Sequence, residues 1–81
     1  MDLEQLRDGI NNIDHQLMEL LDKRLELVKQ VGVYKKENKL PIVDNDRQKF
    51  ILEKANNFNN SESIKKIYQE IFTISCEVED E

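Results

Sequence analysis

The sequence predicts an all-α chain of three helices with a very long first helix, packed as a homodimer. Three observations lead there. Leu3, Leu6, Ile10, Ile13, Leu17, Leu20, Leu27, Val31 and Tyr34 recur at alternating three- and four-residue steps, the period of a helical seam rather than a strand. Pro41 makes one clear break, after which two shorter stretches keep the same spacing. A helix from residue 3 to about residue 38 would be about 54 Å long, whereas a compact chain of this size is only about 30 Å across, from a radius of gyration of about 12 Å. The first helix therefore overhangs its own fold, and a seam that long needs a second copy to cover it.

Each element has its own signals. Met18, Leu21, Leu25 and Val28 widen the stripe of the first helix, while Gly9 and Gly32 lie inside it at a cost of up to about 1 kcal/mol each relative to alanine. Gly32 thus marks a close helix contact or a local irregularity. Residues 38 to 43 form the break, and Asp44 or Asn45 caps a second helix with Phe50, Ile51, Ala55 and Phe58 on one side. That helix ends in the polar run Asn56, Asn57, Asn59 and Asn60. Ser61 or Ser63 opens the third, where Ile64, Ile67, Tyr68, Ile71, Phe72, Ser75 and Val78 keep the three-four spacing. The tyrosines and the three phenylalanines fall at spacings that point to core. Residues 1–81 read as one domain, without repeats or low-complexity segments.

Composition narrows the function. Twelve basic against seventeen acidic side chains give a net charge of −5, which argues against non-specific binding of nucleic acid or an anionic membrane, so any anion site must be local. No apolar run approaches a membrane span, and the N-terminus carries acids where a signal peptide carries bases. The lone Cys76 cannot form an internal disulfide and suggests a reducing compartment, so the chain reads as soluble and cytoplasmic. One histidine and one cysteine are too few for a protein metal cage. His15 falls between seam positions and is expected on the outer face; Cys76 is expected as a packed or boundary thiol.

Arg24 is the most informative residue, because it fills the one seam slot that lacks an apolar side chain. Its helical neighbours are Leu17, Leu20, Leu21, Leu27, Val28 and Val31, so no acid on its own face can pair it. A buried, unpaired guanidinium costs several kcal/mol, so an anion must come to it, either a carboxylate from another helix or a ligand. Lys35 lies eleven residues on, about 20° around the helix and roughly 16 Å along it, so two long side chains can converge on a small anion between them. Arg7 lies seventeen residues before Arg24, roughly 25 Å away and about 100° around, so it cannot easily reach that anion from its own chain, whereas in an antiparallel dimer a second chain's Arg7 could; taken singly, Lys35 and Arg7 also read as solvated surface charges.

These residues resemble the small all-helical chorismate mutases, the AroQ class, over nearly the whole chain. The resemblance rests on Leu6-Arg7 with Ile10 and Ile13-Asp14, Leu20-Leu21 with Lys23-Arg24 and Leu27, Val31-Gly32 with Tyr34-Lys35, Pro41-Ile42-Val43-Asp44, Asp46-Arg47 and Ile74-Ser75. It implies an intertwined dimer of three-helix chains with two equivalent sites, each rearranging chorismate to prephenate without metal or cofactor. Carried over by position, Arg24 and the partner subunit's Arg7 hold the two substrate carboxylates, Ser75 assists one of them, and Lys35 donates to the ether oxygen and an adjacent carboxylate. Arg47 and Asp44 resemble contacts near the ring hydroxyl and the carboxylate network.

Two positions depart from the commonest pattern of the family. Gln48 replaces a glutamate and can still bond the substrate hydroxyl as donor or acceptor. Glu79 replaces a glutamine four residues after the serine. A glutamine amide donates to the ether oxygen at any pH, whereas a carboxyl group donates only when protonated. If Glu79 points inward, activity should fall as pH rises; the alternative assigns it to a solvated acidic tail with Glu77, Asp80 and Glu81. Two other functions remain open from sequence: an isochorismate pyruvate lyase of the same fold, against which Asp44 and the complete Pro-Ile-Val-Asp segment weigh, and a non-catalytic helical dimerisation module. The polar end at Glu81 suits either a terminus or a linker to a further enzyme of phenylalanine or tyrosine synthesis. No added regulatory domain is visible, so feedback inhibition within this chain is not expected.

Overall fold

The computed structural model describes residues 1–81 as three α-helices: α1 (Leu3–Glu37), α2 (Asn45–Lys54) and α3 (Ser61–Asp80), with a 3₁₀ turn at Ala55–Asn57. It contains no strand. The long first helix starts on a capping box, in which the Asp2 side chain accepts from the Gln5 backbone N–H at 2.9 Å and the Gln5 side chain accepts from the Asp2 N–H at 3.0 Å. That signal, an aspartate followed three residues later by glutamine, stands in the sequence. Glu4 in the first turn and Lys35 and Lys36 in the last complement the helix dipole.

The helix ends ahead of Pro41 on a left-handed residue. Lys39 has φ 54°, Leu40 N–H donates to the Lys35 carbonyl at 2.8 Å, and Lys39 N–H donates to the Lys36 carbonyl at 3.4 Å. This is the six-to-one and five-to-two pattern of a Schellman ending, with lysine where glycine is usual. Asp44 then caps α2 by accepting from the Arg47 N–H at 3.0 Å. Asn60, rather than Ser61 or Ser63, is the N-cap of α3, and it makes no side-chain cap.

Between α1 and α3 the paired positions rise together: Arg24 with Ser75, Gly32 with Glu79, Lys36 with Glu81. The two helices therefore run in the same direction, and α2 packs against α3 and the 3₁₀ turn rather than against α1. Five residues are buried: Gly32, Ala55, Phe72, Ser75 and Glu79. Two of those five are polar and face the α1–α3 contact, so the centre of the fold is also where its chemistry lies.

So few buried residues leave the single chain without a sizeable core. The seam of α1 is open to solvent, from Val31 at 44% exposure to Ile13 and Leu20 at 62%, and the molecule extends 53 Å along its longest axis. Its radius of gyration is 15.6 Å, against about 12 Å for a compact chain of this length. The expectation that all three phenylalanines are core is corrected. Phe72 is buried against Tyr68, with ring centroids 5.7 Å apart, whereas Phe50, Phe58 and Tyr34 are half or more exposed. The reason is coverage: α2 is too short to enclose both of its faces around Phe50, Phe58 lies beyond the end of α2, and Tyr34 belongs to the open seam of α1. Phe50 instead lies under two cations, Arg47 at 5.6 Å and Lys54 at 4.5 Å from the ring centroid.

Candidate active site

A cleft of about 270 Å³ opens between the second half of α1, the start of α2 and the end of α3. Arg24, Lys35, Asp44, Arg47, Gln48, Ser75 and Glu79 all line it. Leu27, Val28, Val31, Ile42, Ile51 and Phe72 supply its apolar wall. The arrangement follows from helical periods: residues 24, 28, 31 and 35 share one face of α1, and residues 72, 75, 76 and 79 share one face of α3.

Arg24 is half-buried, and its Nη1 donates to Ser75 Oγ at 2.6 Å. The serine hydroxyl donates in turn to the Ile71 carbonyl at 2.6 Å, which fixes its lone pairs toward the arginine. None of the four ion pairs in the chain involves Arg24. A hydroxyl carries no charge, so the guanidinium remains unneutralised within its own chain.

Lys35 reaches the same cleft from the far end. Its ammonium donates to the Ile42 carbonyl at 2.7 Å and stands 2.5 Å from Glu79 Oε1, with side-chain exposures of 15% for Lys35 and 9% for Glu79. The aligned hydrogen bond goes to Ile42, and the contact with Glu79 is one of charge; the buried Oε1 has no aligned donor of its own. Ser75 and Glu79 are one turn apart, roughly 6 Å along α3. Two cations rooted roughly 16 Å apart on α1 thus meet partners about 6 Å apart on α3.

Glu79 lies inside the last turns of an ordered helix and is buried, which excludes the solvated tail. The Lys35–Glu79 pair, 44 residues apart, has no local sequence signal. Cys76 is half-buried, in keeping with a packed or boundary thiol, and it also forms part of the cleft wall beside Ser75. His15 is exposed as expected and pairs with Glu19 at 2.9 Å. Arg7 is exposed and does not line the cleft. No helix is long and apolar enough to cross a membrane.

The family model for chorismate mutase type II matches residues 6–80. The chain is 39% identical over 67 residues to a bifunctional chorismate mutase/prephenate dehydratase of Buchnera aphidicola, covering 83% of this chain and 17% of that one. It is 31% identical over 86 residues to a protein of the same description from Aquifex aeolicus, covering 96% of this chain and 24% of that one. Among solved structures, a conserved hypothetical protein from Pyrococcus furiosus superposes with a TM-score of 0.82 at 38% identity, covering 95% of this chain and 93% of that one. The chain therefore spans less than a quarter of the length of these two curated relatives.

Proposed function

Because the chain belongs to the chorismate mutase type II family, we propose that it rearranges chorismate to prephenate, with Arg24, Lys35 and Glu79 as its catalytic residues. The observation that carries this reading is the unneutralised Arg24 guanidinium facing a cleft whose other end holds Lys35. Charge buried without a counterion is costly, and a dicarboxylate ligand supplies what the chain does not.

The chemistry asks for little else. In a Claisen rearrangement one C–O bond breaks and one C–C bond forms within a single molecule, so no atom is gained or lost and no nucleophile is required. The protein must hold a flexible dianion in its compact conformer and stabilise the negative charge that grows on the ether oxygen. Arg24, assisted by Ser75, orients one carboxylate through paired N–H donors. Lys35 donates to the ether oxygen and an adjacent carboxylate, a contact that strengthens as the bond breaks and therefore favours the transition state over the ground state. Asp44, Arg47 and Gln48 bind near the ring hydroxyl and the carboxylate network.

The functional unit is a homodimer. Its support is the open apolar seam of α1 and a span of 53 Å. Arg7 sits seventeen residues from Arg24, roughly 25 Å along the helix, so the second substrate carboxylate is met by the partner subunit's Arg7.

Glu79 gives this site its pH dependence. From α1 it faces Lys35 and, further off, Arg24; from α2 it faces Asp44 and Arg47 across the cleft. A carboxyl group donates to the ether oxygen only when it carries a proton, so activity is expected to be higher in acid than in mild alkali.

Chorismate consumption with product identification, at one acidic and one mildly alkaline pH, tests all of this. Prephenate formed faster in acid is the expected result. Pyruvate release would identify a lyase, and no turnover at either pH would leave a helical dimerisation module.

A further inference from the structure

Gly32 is the only buried residue of α1. A Cβ built on it would lie 2.6 Å from the Glu79 carbonyl oxygen and 2.8 Å from the Glu79 Cα. Both are backbone atoms, so no side chain can swing away; any larger residue at position 32 must move the last turns of α3 off α1. Gly9 is different, with nothing within 4 Å of the same point. Glycine in a helix interior is unfavourable relative to alanine, and at position 32 the close approach offsets that.

The place of this contact is what gives it a consequence. Lys35 stands three residues further along the same face of α1, and its ammonium meets the side chain of the residue whose backbone touches Gly32. One residue of α3 is thus held twice, its main chain at Gly32 and its carboxyl group at Lys35. The Arg24–Ser75 contact lies a full turn away along α3 and eight residues earlier on α1.

We propose that Gly32 is a positioning residue for the reaction: its missing Cβ sets the α1–α3 separation at the level of Lys35, and with it the place of the Glu79 carboxyl group in the cleft. This rests on the chorismate mutase reading above. The contact acts on the transition state, since Glu79 and Lys35 address the ether oxygen while Arg24 and Ser75 hold the carboxylate.

The test is a pair of glycine substitutions read by steady-state kinetics. Gly32→Ala lowers kcat, on the order of 10²-fold for a displacement near 1 Å, with a smaller change in KM; Gly9→Ala, which gains the same helix propensity, keeps wild-type kcat. In a Glu79→Ala background, Gly32→Ala has little further effect, because the group it positions is gone. An equal loss with and without the Glu79 side chain would overturn the proposal in favour of general distortion, as would a rise in KM at constant kcat. If Gly32→Ala fails to fold by circular dichroism, Glu79→Asp withdraws the carboxyl group by one methylene on an unaltered backbone. The same kcat-selective loss is then expected, and wild-type kcat in that variant overturns the inference. If the wild-type protein forms no prephenate, the mutase reading fails separately. Gly32 is then read by the carboxyl-carbon NMR titration of Glu79: coincidence of the Gly32→Ala and Lys35→Ala curves supports positioning, and a wild-type curve in Gly32→Ala overturns it.

Discussion

Lys35 and Glu79 neutralise each other in a nearly dry contact, so substitutions at the two positions have separable effects on stability and rate. Lys35→Ala removes the donor proposed for the ether oxygen and is expected to lower kcat by two to three decades, about 2.7–4 kcal/mol. It also strands the Glu79 carboxylate, at a cost to folding of about 3 kcal/mol or more. Adding Glu79→Gln should restore much of the stability, seen in urea denaturation, and none of the rate lost with the lysine. Glu79→Gln alone separates the roles further: an amide donates at every pH, so the fall in activity toward alkaline pH is expected to flatten in a pH–kcat profile. An unchanged profile would sink the assignment of Glu79. Arg24 was legible from sequence because a cation in an apolar seam breaks a pattern. Glu79 was legible only as an inward or outward alternative, since its acidic neighbours Glu77, Asp80 and Glu81 suit a solvated tail equally well.

At the scale of elements, the turn between α1 and α2 carries the one left-handed residue of the chain. Lys39 at φ 54° bears a steric cost of about 1–2 kcal/mol that glycine would not. Glycine loses about 0.5–1 kcal/mol in unfolded-state entropy, so Lys39→Gly is expected to raise stability by roughly 0.5 kcal/mol. A lowered midpoint in thermal or urea unfolding would show that the Schellman ending is not strained. This turn matters to the site because the chain it redirects delivers the Ile42 carbonyl to Lys35 and Asp44 to the cap of α2. Pro41 announced the break, and the three-four spacing predicted every helix with boundaries close to those found. The left-handed lysine had no signal, because the sequence offers no glycine or asparagine at that position.

At the scale of the whole molecule, the open seam and the distance from Arg7 to Arg24 lead to one experiment. Arg7→Ala and Arg24→Ala are each expected to lose two or more decades of activity, as the loss of a charged partner at a preorganised site does. Mixed and allowed to exchange, they should regain about a quarter of wild-type activity, because half the dimers are mixed and each mixed dimer has one intact site of two. Failure to recover activity, with exchange verified by mass spectrometry of labelled chains, would mean that each site draws both arginines from one chain or uses only one of them. The proposed dimer would make stability depend on protein concentration, so the melting temperature should rise on concentrating the sample.

The sequence by itself determined what repeats or interrupts a local pattern: three helices, the length of the first, the break at Pro41, the cation in the seam, and a family motif spread over the chain. Those features follow from the 3.6-residue period, the missing proline N–H and the cost of burying charge, all of which act between near neighbours. The tertiary structure decided what depends on residues 44 to 51 positions apart: the pairing of Lys35 with Glu79, the hydroxyl that Ser75 offers Arg24, the turn of Cys76 into the cleft, and the contact that leaves no room for a Cβ at Gly32. These rest on how closely and in what register two helices pack, and that separation is a property of the packed helices which no local spacing encodes.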